Sequence, residues 1–96
     1  MRPSEALQLY REDIRRIVEQ HHGKNPKVFG SVVAGEDTED SDLDLLIDPT
    51  SQTTLFDIAE IQSQLQKLLP VSVDVLTPKA LPEKFRTRVL QEAVPV

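Results

Sequence analysis

The chain has 96 residues, 39% apolar and 28% charged, a composition that folds rather than one that stays disordered, and the length suits one domain spanning residues 1–96. Sixteen Asp plus Glu against eleven Lys plus Arg leave a net charge of −5, which argues against a protein that works by neutralising nucleic-acid phosphates. Cysteine is absent, so disulfides, thiolate zinc sites and cysteine nucleophiles are excluded.

From the amino end, Ser4 is placed to cap a helix that carries Leu7, Tyr10, Ile14, Ile17 and Val18 at three- and four-residue spacing and stops at Gly23. Pro26 precedes Lys27-Val28-Phe29, a short β-like run closed by Gly30-Ser31. A polar loop follows, in which Glu36, Asp37, Glu39 and Asp40 read as a solvated charge run. From Asp42 to Asp48 the sequence Asp-Leu-Asp-Leu-Leu-Ile-Asp predicts a second strand ended by Pro49. Thr54 and Asp57 form a capping-box pattern for a second helix with Ile58, Ile61, Leu65 and Leu68 on one stripe, terminated by Pro70.

Residues Val71 to Leu76 alternate with period two, turning the valines one way and Asp74 the other. Pro82 suits the first turn of a last helix with Phe85 and Val89 on one side, before a short apolar tail, Ala93 to Val96. The order α-β-β-α-β-α predicts an α+β fold, a small mixed sheet of three main strands with helices packed mainly on one face. The longest unbroken apolar run, Leu45-Leu46-Ile47, is far too short to span a bilayer, and Met1 to Ser4 lead into amphipathic sequence without an apolar signal core. A cytoplasmic protein without a membrane partner is the expectation.

The chemistry concentrates on the second strand. Asp42 and Asp44 share one face, with Cα atoms about 6–7 Å apart, so they can share one divalent ion or flank a pair. Leu43, Leu45 and Ile47 take the opposite face. Asp42, Asp44 and Asp74 on one sheet face repel one another unless protonated, solvated or neutralised by cations. All-oxygen donors favour Mg²⁺ or Mn²⁺ over zinc, and magnesium commonly completes its shell with substrate phosphate oxygens. Gly30 lets backbone N–H groups approach a phosphate, and Ser31 adds a hydroxyl donor. His21 and His22, adjacent on a helix, point about 100° apart, which suits a helix C-terminus better than a metal pair. Lys79, Arg86 and Arg88 are not separable from ordinary surface charges on sequence alone.

Gly30-Ser31, ten residues, then Asp42-Leu43-Asp44 is the G-S-x10-D-x-D pattern, and the chain resembles the polymerase β-like nucleotidyltransferase superfamily, specifically its minimal nucleotidyltransferases, the antitoxin partners of HEPN-domain proteins. Four matches at fixed spacing arise by chance in roughly one chain in a thousand of this length. The resemblance implies that Gly30 and Ser31 hold a triphosphate, that Asp42 and Asp44 ligate two metal ions, and that Asp74 is the third carboxylate, helping to deprotonate the attacking hydroxyl. It implies transfer of a nucleoside monophosphate, AMP from ATP, to a hydroxyl on a HEPN-type partner. The chain departs from the family at Ala34, where many members carry arginine before the second loop glycine. The alternative is a non-catalytic antitoxin, or nucleotide-binding module, that neutralises its partner by complex formation. Homo-oligomerisation is left open.

Overall fold

A strand with apolar residues at alternate positions needs cover on one face only, and two helices supply it here. The computed structural model describes residues 1–96. Helices α1 (Pro3–Gln20) and α3 (Leu55–Leu68) lie against strands β1 (Gly23–Phe29), β2 (Leu43–Pro49) and β3 (Val73–Leu76). A four-residue helix, α2 (Ser31–Ala34), follows β1. A 3₁₀ turn at Pro78–Ala80 leads to α4 (Glu83–Glu92) and to the two-residue strand β4 (Val94–Pro95).

The sheet order is β3-β2-β1-β4, with β2 and β3 parallel and β1 antiparallel to both β2 and β4. The parallel pair requires a long connection, which α3 provides. Four strands stand where three were expected, because the apolar tail pairs Val94 with Val28 and Pro95 with Lys27. The Val96 N–H also donates to the Pro26 carbonyl at 2.9 Å. Two residues thus satisfy a stretch of β1 edge that would otherwise present unpaired backbone groups.

Helix α1 begins two residues earlier than a Ser4 cap would allow. Arg2 occupies the cap, its N–H donating to Glu5 Oε1 at 2.9 Å, and Pro3 takes the first helical position, where no N–H is needed. The Ser4 N–H is instead satisfied from the loop, donating to Asp37 Oδ2 at 2.9 Å. At the other end Gly23 does not stop the helix; His22 adopts the positive φ of 65° and Gly23 already belongs to β1. Its lack of a side chain serves packing, since a Cβ there would lie 2.8 Å from Ile47 Cγ2 and 2.9 Å from Val18 Cγ1. β1 starts earlier than expected and carries an irregular register between Lys24 and Lys27, with Asn25 at a φ of 48°.

The Thr54 capping box forms as read: the Asp57 N–H donates to Thr54 Oγ1 at 3.2 Å and the Thr54 N–H to Asp57 Oδ2 at 2.8 Å. Between the helices and the sheet, Ile14, Ile61, Leu65, Leu43, Leu45 and Ile47 are completely buried, and no polar or charged residue is buried with them. Each such side chain contributes about 1.5–3 kcal/mol of burial. No helix is long and apolar enough to cross a membrane.

Candidate active site

The far face of the sheet is built differently. Register places Phe29 beside Asp44, Asp44 beside Asp74, and Leu46 beside Leu76, all on the side away from the α1–α3 core. Asp44 and Asp74 therefore sit on strands as expected, whereas Asp42 occupies the residue just before β2. Asp44 is half-buried; Asp42 and Asp74 are exposed. Burial of Asp44, then the neighbouring charges of Asp74 and Asp42, push its carboxyl up to about 6 from an ordinary 3.8. Asp74 and Asp42 both stand close enough to Asp44 to act on its charge.

Gly30 closes the arrangement from β1. It takes a φ of 77°, and a Cβ built there would collide with Asp44 Oδ2, so the glycine is required twice, by its backbone and by the carboxylate pressed against it. Ser31 follows as the first residue of α2.

The outer edge of β3, which carries Asp74, is fixed by two glutamines that sequence reasoning overlooked. Gln62 Oε1 accepts from the Val75 N–H at 2.8 Å, and its amide donates to the Val73 carbonyl, so one side chain brackets Asp74 on the backbone. Gln66 Oε1 accepts from the Val73 N–H at 2.9 Å and its amide donates to Val71 O at 2.9 Å. Two glutamines four residues apart on α3, ahead of a short alternating strand, were the available signal. Asp37, partly exposed in the polar loop, makes a contact that the sequence reading did not include. It caps α1 through the Ser4 N–H, which holds its carboxyl below the usual range. Glu36, Glu39 and Asp40 are exposed as expected.

The two histidines lie with other partners. His22 Nδ1 is 3.4 Å from Asp57 Oδ2 and His21 Nε2 is 2.9 Å from Gln64 Nε2, so they link the end of α1 to α3 instead of forming a metal pair.

Beside the carboxylates a groove of about 530 Å³ opens between the Gly30–Ser31 loop and α4. Its walls include Leu76, Leu81, Phe85 and Val89. Helix α4 buries none of its residues, and Arg86 hangs it from the preceding turn by donating to Pro78 O at 2.9 Å and Leu81 O at 3.0 Å.

An all-carboxylate donor set beside the Gly30–Ser31 loop suits a hard divalent cation that completes its shell with phosphate oxygens and water. The set is open: no three or more His, Cys, Asp or Glu side chains are gathered closely enough to hold an ion by themselves. That is compatible with magnesium, which uses only one or two carboxylates and takes other ligands from its substrate.

The nucleotidyltransferase domain family matches residues 11–96. The chain belongs to this family. Among its relatives, the protein adenylyltransferase MntA of Thermococcus cleftensis is 39% identical over 67 residues, covering 70% of this chain and 68% of that protein. A solved structure assigned as a minimal nucleotidyltransferase superposes with a TM-score of 0.84 at 40% identity, covering 97% of this chain and 95% of the other. A toxin–antitoxin structure with AMP-PNP shares the fold, with a TM-score of 0.72 at 16% identity over 88% of this chain and 69% of that one. The fold is that of a minimal nucleotidyltransferase, and its class of chemistry is nucleotidyl transfer.

Proposed function

We propose that residues 1–96 form one domain that acts as a protein adenylyltransferase, moving AMP from ATP to a hydroxyl of a HEPN-type partner protein and thereby serving as the antitoxin of a toxin–antitoxin pair. The observation that carries the reading is the Asp44 carboxyl, half-buried against Gly30 and flanked by Asp42 and Asp74, at a site open to a neighbouring groove. The names of the relatives, a protein adenylyltransferase and a toxin–antitoxin complex with AMP-PNP, point the same way.

In this reading Asp42 and Asp44 hold Mg²⁺ or Mn²⁺, two ions with Asp74 as the third carboxylate. The ions, when bound, neutralise the carboxylates and stabilise charge on the entering and leaving oxygens of an in-line displacement. Gly30 supplies a backbone that phosphate oxygens can approach, and Ser31 supplies a hydroxyl donor. Asp74, exposed at the sheet edge, accepts the proton of the attacking hydroxyl. The new bond joins that hydroxyl oxygen to the α-phosphorus, and pyrophosphate leaves.

The test is transfer of label from ATP carrying it on the α-phosphate, with Mg²⁺, to protein in a lysate of the source cells. Wild type should label a band that Asp44→Asn does not, and ATP labelled on the γ-phosphate should give none. A second reading, an antitoxin that blocks by binding alone, draws on Ala34, which lines the groove without a charge. Neutralisation of the partner by Asp44→Asn equal to that by wild type would establish it and sink the catalytic one.

A further inference from the structure

A triphosphate set against three carboxylates needs cationic help beyond the ions between them, and the Gly30–Ser31 loop offers only neutral donors. The groove that this loop shares with α4 contains one basic side chain, Arg88. The other two candidates are accounted for. Arg86 spends its guanidinium on the carbonyls of Pro78, Lys79 and Leu81, at 2.9, 3.3 and 3.0 Å. Lys79 sits exposed on the 3₁₀ turn and does not line the groove.

Arg88 itself is free to move. Its only side-chain partner is Glu92, one helical turn on, at 3.2 Å between Nε and Oε1, and both side chains stand largely in water. Exposed pairs at this spacing are weak and readily exchanged for a better anion. No residue of the helix that carries it is buried, so the groove wall it forms is not packed into the core.

We propose that Arg88 is the phosphate-binding cation of this site, reaching across the groove from α4 to the triphosphate held at Gly30–Ser31. The proposal rests on the nucleotidyltransferase reading given above. Arginine suits the role because its planar fork can donate two parallel hydrogen bonds to one phosphate and stays charged at every working pH. Glu92 holds the guanidinium on the groove wall until the anion displaces it.

The experiment is calorimetric titration of the purified chain with ATP and with AMP, each in Mg²⁺, on wild type, Arg88→Ala, Arg88→Lys and Glu92→Gln. Arg88→Ala should weaken ATP binding about tenfold, the scale of one charge-assisted hydrogen bond, and change AMP binding less than about twofold. Arg88→Lys should recover part of the loss, and Glu92→Gln should bind ATP as tightly as wild type or tighter. All four should give the same far-ultraviolet circular dichroism, since both residues are exposed. Equal ATP affinity in wild type and Arg88→Ala overturns the proposal and leaves the nucleotidyltransferase reading in place. Equal losses for ATP and AMP also overturn it, by removing the link to the outer phosphates. A wild type that binds neither nucleotide overturns both.

Discussion

The two faces of the sheet divide stability from chemistry, and a single strand serves both. On one side of β2, Leu43, Leu45 and Ile47 are completely buried under α1 and α3 with no polar group among them. On the other, Asp44 stands among like charges beside a groove whose far wall, α4, contributes nothing to the core. The covered face is saturated: its contacts are made within the chain. The second face is unfinished, with repelling carboxylates, a glycine that leaves no room for a side chain, and half-exposed Phe85. What distinguishes the faces is which one has its partners in the folded chain and which awaits them from solution.

The largest expected effect comes from breaking the covered face. Leu45→Ala removes a fully buried side chain from a packed layer and should cost about 2–5 kcal/mol, a large part of the roughly 5–15 kcal/mol that holds a small domain folded. Urea denaturation followed by circular dichroism measures it. A loss below about 1 kcal/mol would mean that the core relaxes around the cavity and that the division between faces is less sharp than drawn.

Gly30→Ala comes next and strikes the junction between the two regions. The substitution puts a Cβ at a φ of 77° and into the Asp44 carboxylate, so about 1–3 kcal/mol of stability should go with it. Because the displaced group is Asp44, label transfer from ATP should fall far more steeply than stability does. A variant as stable as wild type and fully active would show that the loop reshapes freely and that the close approach has no function.

Much of this was legible in the sequence because it followed from period. The alternation from Leu43 to Ile47 and from Val71 to Val75 gave both faces of two strands, and with them the common side of Asp44 and Asp74. The Thr54–Asp57 box was local and therefore readable. What could not be read depended on partners distant in the chain. Asp37 satisfies the N–H of Ser4, 33 residues earlier in α1, and Val94–Pro95 pairs with a strand far upstream, so neither leaves a local pattern. Gly23 looked like a helix stop, yet it is a contact point for Ile47 and Val18, and the left-handed position fell to His22. Of Lys79, Arg86 and Arg88, only the fold separates the residue that lines the groove from the one that holds up a turn.

The smallest change in stability, and the one with the opposite sign, belongs to Asp44→Asn. In the folded chain the Asp44 carboxyl titrates near 6 instead of 3.8, from burial first and then from Asp74 and Asp42. Between those two values the folded state binds more proton than the unfolded one, so stability falls as pH rises through the window and stays at its lower value above about pH 6. With the exposed part of the group screened by water, the cost is about 1 kcal/mol. Without divalent ions Asp44→Asn should therefore melt about 4–8 °C above wild type at pH 8, and the two should converge below about pH 4. Mg²⁺ should raise the wild-type melting temperature by mass action while leaving Asp44→Asn nearly unmoved. A variant no more stable than wild type at pH 8 would mean that the three charges are already well solvated. If the gain is seen together with loss of label transfer, the repulsion that weakens this face is the same feature that draws a cation, with its nucleotide, onto it.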